Sequence, residues 1–342
     1  MQSPTHLCLK EHPAHIKIQS SARPSLLTST CSVVCLLPQA YYNKFSIAAL
    51  EAIWFHLPLV PCSVAERNGH KDENYPYTLM KQGKWNISSL RNLNKKATIE
   101  LDGDGKLTKS DQWGMIQIDI GTAGYSALLQ SCGAQMLLND NGLLKYNMED
   151  SKVLDAINLG TDLFYNDNSC IGLSDDTACK SFMSGHGLFI SGVMELARAV
   201  SDMKDDFGIV PFPHGDNQKN YSVATNWNCQ TMLLPSSLDK DRVKIAGAFL
   251  QAYNYSVQSI IKDQYKEWGL RYLRDDESVD NLWIGYTSQV TTMANAASAG
   301  TAIQEGTYRA CYAAATKSPA TTIQENKSAA IKAIDDINKK LK

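Results

Sequence analysis

Between positions 100 and 111 the chain reads ELDGDGKLTKSD, and its oxygen donors fall where a calcium ion needs them. Glu100, Asp102 and Asp104 stand at the first, third and fifth places, and Gly105 follows for the sharp turn. Lys106 offers its backbone carbonyl, Thr108 an oxygen used directly or through water, and Asp111 closes the set at the twelfth place. Many flexible oxygens and no phosphate partner favour Ca2+ over Mg2+. Both ends depart from the usual pattern. Glu100 pushes the first carboxylate farther from the ion, and Asp111 shortens the reach of the last. The alternative is a solvated acidic turn shaped by Gly103 and Gly105. The next segment reads as a strand rather than a second helix, so a bound ion is structural.

A second kind of chemistry is available where strands hand over to helices. Residues 182–213 read FMSGHGLFISGVMELARAVSDMKDDFGIVPFP, in which apolar runs at 187–190 and 207–212 flank a helix-prone segment. A crossover of that length between short strands marks an α/β fold, with helices packed on a sheet. The turn at Ser191-Gly192 leaves the backbone N–H groups of Val193, Met194 and Glu195 facing outward. In open α/β sheets such turns gather at the carboxyl ends of the strands and form the binding crevice. The bland alternative is that Gly192 only makes a tight turn.

The elements that hold these turns follow from periodicity. Helices are expected at 87–98, 125–136 with an end near Gly133, 151–166, 295–315 and 323–341. Another starts at 235–239, with Val243, Ala246, Phe249, Leu250 and Tyr253 as its buried stripe. Residues 115–120 alternate apolar and polar and read as a strand, and residues 221–234 are extended. Trp113, Trp268 and Trp283 read as core. His186, between two glycines, reads as a turn residue, since no Ser/His/Asp or GxSxG arrangement accompanies it.

The chain has 342 residues, enough for two domains, with 44% apolar content and 33 basic against 35 acidic residues. With no basic face, nucleic acid is excluded as a partner. The nine cysteines show no CxxC pair and no zinc spacing, so they read as isolated core thiols. Cys170 and Cys179 are close enough in sequence to be candidates for a bridge. Residues 1–73 differ from the rest: they hold five of the seven histidines, six of the eleven prolines and, in Gly69, one of the 21 glycines. The apolar run 25–37 behind Lys17 and Arg23 has some character of a signal peptide but lies late and is closed by Pro38. Val33-Val34 before Cys35 lacks the small residue of a lipoprotein cleavage site.

Taken in order, Phe182-x-x-Gly185, the strand ending in Ser191-Gly192, and FGIVPFP at 207–213 resemble the extracellular solute-binding proteins of bacterial ABC importers, in the branch that mostly carries sugars. NYPYTLMKQGKW at 74–85, DGDGKLTKSDQWG at 102–114 and LRYLRDDESVDNL at 270–282 resemble family segments in family order, so the likeness covers roughly residues 74–342. It implies a two-lobed α/β fold closing over its ligand at a hinge. It divides the chain into an atypical region 1–73, a part at 74–225 that is mainly the second lobe, and a part at 226–342 with the hinge return, some of lobe one and the last helices. Family members carry a longer first lobe before the segment at 74–85, so the resemblance implies that lobe one is incomplete here.

The resemblance also implies a function: a non-catalytic receptor, extracellular, at the cell surface or periplasmic, that delivers a mono- or oligosaccharide to ABC permease subunits and acts as a monomer. Ligand contacts are expected at three crossings: Gly121, Thr122 and Tyr125; Gly192, Val193, Met194 and Glu195; and Asn226, Trp227 and Asn228. Trp227 between two asparagines offers an aromatic face for a pyranose ring and amides for its hydroxyls. Two other classes compete. A glycan hydrolase needs a carboxylate pair across the cleft, of which only Glu195 is found; a calcium-dependent interaction domain rests on the acidic loop alone.

Overall fold

A computed structural model describes residues 56–61, 75–224, 234–235, 237–290 and 316–341. Its strands are β1 His56–Pro61, β2 Trp113–Ile118, β3 Leu137–Asp140, β4 Leu143–Tyr146, β5 Cys170–Leu173, β6 Gly187–Val193, β7 Phe207–Ile209, β8 Val223–Ala224 and β9 Gln289–Val290. Its helices are α1 Tyr75–Lys81, α2 Ile87–Ala97, α3 Tyr125–Ser131, α4 Ser151–Thr161, α5 Asp175–Met183, α6 Glu195–Ala199, α7 Lys240–Tyr272, α8 Asp276–Thr287 and α9 Pro319–Leu341. The expected α/β class holds. The helix expected at 295–315 lies outside the described residues.

Five strands form the main sheet in the order β5-β2-β6-β1-β7. β2 runs parallel to β5 and to β6, with Met115 opposite Cys170 and Phe189, and Gln117 opposite Ser191. Successive residues of β2 and β6 point to opposite faces, and both faces are covered. Met115 and Phe189 join the core built with α2, α3, α4 and α9, whereas Ile116 and Ile190 join the one built with α5, α6, α7 and α8. The alternation read at 115–120 is therefore not inside against outside. Gln117, on the polar side of that pattern, has no exposed surface. Cys170 and Cys179 belong to these opposite cores and are free thiols, so no bridge joins them.

One strand of the main sheet comes from the region before residue 73. β1 lies antiparallel between β6 and β7, with Leu59 opposite both Ile190 and Ile209. Pro58 and Pro61 lack the N–H that a ladder uses and argue against a central strand, which is why the sequence reading passed over it. The helices after position 226 likewise cover both faces of this same sheet.

Helical side chains close two strand edges. On β4, the Asn338 amide of α9 accepts from the Leu144 N–H and donates to its carbonyl, both at 2.8 Å. On β7, the Ile209 N–H donates to Ser278 Oγ and its carbonyl accepts from Asn281 Nδ2, again both at 2.8 Å. Ser278 donates in turn to Asp275 Oδ2 at 2.8 Å, and Tyr77 Oη lies 2.8 Å from Ser278 Oγ. Burial drives the Tyr77 hydroxyl well above the usual tyrosine range, so it stays protonated as a donor. Gly208 is required beneath it, because a Cβ there would stand 1.9 Å from Tyr77 Oη.

The stripe expected on α7 is only half observed. Val243, Ala246 and Leu250 are partly covered, but Phe249 is 66% and Tyr253 42% exposed. The helix first enters a core at Val257 and Ile261.

Replacing Ser278 by alanine leaves the Ile209 N–H buried without its acceptor and the Tyr77 hydroxyl with only its longer bonds to Asp275, at 3.3 and 3.4 Å. A loss of about 1–3 kcal/mol in urea unfolding is expected; an unchanged midpoint would show that the edge closure contributes nothing.

Candidate functional site

The acidic loop leaves α2, which Asn86 caps by accepting from the Ser89 N–H, and returns to the amino end of β2. Paired hydrogen bonds between Ile99 and Gln112, at 2.8 and 3.0 Å, close its neck. Gly103 and Gly105 have φ of +80° and +76°, left-handed values that glycine adopts without strain. One oxygen of Glu100 or Asp102 or Asp104 can be chosen so that all three lie within 4.8 Å of one another. These donors fit a shared hard cation. Each also accepts from backbone N–H groups of the loop: Glu100 from Asp102, Gly103 and Asp104, Asp102 from Asp104, and Asp104 from Lys106.

Asp111 does not join that cluster. Its Oδ1 accepts from the Leu101 N–H at 2.8 Å and its Oδ2 from the Thr108 N–H at 2.6 Å and the Thr108 hydroxyl at 3.0 Å. These bonds, the Leu101 and Thr108 N–H groups first, hold its carboxyl below the ordinary aspartate range. The short side chain at the twelfth place thus turns inward and braces the loop, and Thr108 is spent on the same brace. Trp113 Nε1 donates to the Thr108 carbonyl at 2.7 Å, and His186 Nδ1 lies 3.3 Å from the Asp111 carbonyl. Both residues serve structure, as the sequence indicated.

At the other end of the sheet, β5, β2 and β6 run parallel and end side by side. After β2, Asp119 takes φ +50° and a wide π turn, Ile120–Gly124, leads into α3. After β6 the chain passes through Met194 into α6, and after β5 through Ser174 into α5. The turns expected to touch a ligand, at Gly121–Thr122 and at Gly192–Glu195, are therefore neighbours. Single π turns of this kind occur often at functional sites.

Within this pair of turns the expected residues do different jobs. Gly192 is buried because Leu196 packs over it, and a Cβ at Gly192 would lie 2.5 Å from Leu196 Cδ1. Val193 and Met194 lean on the α5–α8 core. Glu195 is half-exposed and forms an ion pair with Arg198 one turn on. Gly121 is buried within the π turn. Tyr125 must be reassigned: it has no exposed surface, its ring meets Phe164 edge-on at 5.2 Å, and it seats on Gly160. It anchors α3 to α4 and offers no face to a ligand. Asn226, Trp227 and Asn228 lie outside the described residues.

Sequence reasoning missed Gln117. Its Nε2 donates to the carbonyls of Ile118 at 2.7 Å and Ser191 at 3.3 Å, tying the ends of β2 and β6 together just below the two turns. The signal was a glutamine one place before the strand end. Among the described cysteines none offers a nucleophile: burial pushes the Cys132 thiol up to about 11 and raises Cys170 and Cys179 as well.

No protein-family model matches the chain, and no curated protein matches it. Solved structures do. The chain is similar to UspC of M. tuberculosis at 15% identity and a TM-score of 0.56, over 82% of this chain and 73% of that one. It is similar to the maltose/maltodextrin-binding domain MalE of Bdellovibrio bacteriovorus bound to maltotriose, at 16% identity and 0.52, over 88% and 78%. It is also similar to an ABC transporter solute-binding protein of Thermotoga lettingae bound with α-D-tagatose, at 13% and 0.51, over 85% and 72%. The chain shares the fold of these binding proteins.

The close seat of Leu196 on Gly192 makes a checkable claim about the second turn. Gly192→Ala is expected to cost about 1–3 kcal/mol by overpacking. The cost should shrink when Leu196→Ala has already opened the space, so a double-mutant cycle that comes out additive would refute this packing.

Proposed function

We propose that this protein is the extracellular solute-binding component of a bacterial ABC importer, taking up a mono- or oligosaccharide and presenting it to permease subunits without transforming it. The observation that supports this most is the gathering of three strand-to-helix turns at one end of three parallel strands, in a fold shared with structures that hold maltotriose and tagatose. Such an end supplies backbone N–H groups and carbonyls on a rigid frame, which suits hydroxyl-rich ligands. Gly121, Thr122, Gly192, Val193, Met194 and Glu195 belong to the turns on this side, and Asn226, Trp227 and Asn228, outside the described residues, complete the proposed set of ligand contacts. Among the described residues, no helix is long and apolar enough to cross a membrane.

The test is calorimetric titration of the chain with a panel of maltodextrins and monosaccharides, with the sugar recovered afterwards. Saturable binding with intact sugar is expected, and Trp227→Ala should weaken it by about 1–3 kcal/mol through loss of an aromatic anchor. Shortened sugar in the recovered sample points instead to a hydrolase, and no heat with any sugar removes the carbohydrate reading.

A structural Ca2+ at the acidic loop belongs to the same proposal. Glu100, Asp102 and Asp104 supply the carboxylates and Lys106 a carbonyl, while Asp111 and Thr108 hold the loop in shape. Binding to the folded chain alone raises stability by about 2.7 kcal/mol at a hundredfold excess over Kd. The melting temperature should therefore rise from EDTA to millimolar calcium, and Asp104→Ala should abolish the rise; equal melting in both buffers would sink the site.

A further inference from the structure

Helix α7 carries two apolar faces, and the described residues cover one. Val243, Ala246, Leu250 and Val257 are partly covered and lead to buried Ile261 and Tyr265. Roughly a third of a turn round the helix, at about 100° per residue, stand Ile245, Phe249, Tyr253 and Ile260. They are 70%, 66%, 42% and 54% exposed. From Ile245 to Ile261 the helix contains no charged residue. A surface helix normally sets a charged face against its apolar one, whereas here a second apolar face stands exposed. The Phe249 and Tyr253 rings stack on this face with centroids 6.3 Å apart and planes at 20°.

We propose that this face docks against the same face of a second copy of the chain, with the two α7 helices antiparallel about a twofold axis midway between Ile245 and Ile260. That register makes the face complementary to itself. Ile245 of one copy meets Ile260 of the other, Phe249 meets Ser256, and Tyr253 meets Ala252. Arg242 meets Asp263. Large side chains fall on small ones and a guanidinium on a carboxylate, and Arg242, Ala252, Ser256 and Asp263 are all exposed to do so. Arg242 pairs with Asp239 within its own helix at 3.4 Å, an exposed contact that costs little to exchange.

The area fits as well. Side chains of this size carry ~150–250 Å², so the four apolar ones leave on the order of 400 Å² uncovered per copy. The flanking small and charged residues bring this toward the ~800 Å² that each partner of a stable interface buries. The arrangement departs from the single-copy state that the resemblance implies.

Sedimentation of the full chain across the micromolar range tests it. A reversible dimer is expected, and Phe249→Glu should leave only monomer with unchanged circular dichroism. Arg242→Glu should weaken the dimer roughly tenfold, since two exposed pairs are lost, and adding Asp263→Arg should restore it. Failure of that charge exchange to restore association overturns the antiparallel register and the proposal with it. A chain that stays monomeric, with amide exchange protected along 245–260, assigns the cover to another part of the same chain and also overturns it.

Discussion

The parallel pairing of β2 with β6 is the constraint on which the rest of the structure depends. Because Trp113 faces Gly187 and Gln117 faces Ser191, the two strands end level with each other, and whatever follows them must share one rim. Because Met115 and Phe189 lie on one face and Ile116 and Ile190 on the other, both faces need helical cover. A slip of one residue would exchange these faces and expose one set of apolar side chains. The Gln117 amide pins the register from within, just below the rim where the candidate turns lie.

The pairing also explains which parts were legible in the sequence. The strand, helix, strand unit at 187–209 was readable because short apolar runs and a crossover length follow from sheet geometry, and α2, α4 and α9 were readable from their spacing. The acidic loop was readable because ligand spacing is a local property. The β3–β4 hairpin had its signal too, Asn141-Gly142 with φ of +53° and +88°, a dipeptide suited to a turn with two left-handed residues; it went unread among longer motifs.

What stayed hidden depends on partners distant in sequence. β1 carries two prolines and is a strand only because β6 and β7 flank it. Tyr125 stands beside a strand-end turn, which suggests a ligand contact, yet Gly160 in α4 leaves a hollow that its ring fills. Gln117 and Asp111 have polar side chains that local reasoning sends outward. Asp111 is buried because the Leu101 and Thr108 N–H groups satisfy it, and Gln117 because its Nε2 reaches the carbonyls of Ile118 and Ser191, while its Oε1 has no partner among the described residues.

The two candidate sites of this chain lie at opposite ends of one strand. The acidic loop closes on Gln112 at the amino end of β2, and the π turn opens after Ile118 at its carboxyl end. Six residues of strand separate them, about 20 Å at ~3.3 Å per residue. A cation at the loop cannot touch a ligand at the turns across that distance. It can act on the ligand end only by fixing the strand, and the strand is already held on both sides by β5 and β6 and on both faces by helices. A cation there therefore adds to the stability of β2 while leaving the geometry of the turns to Gln117 and to the pairing of the strand ends.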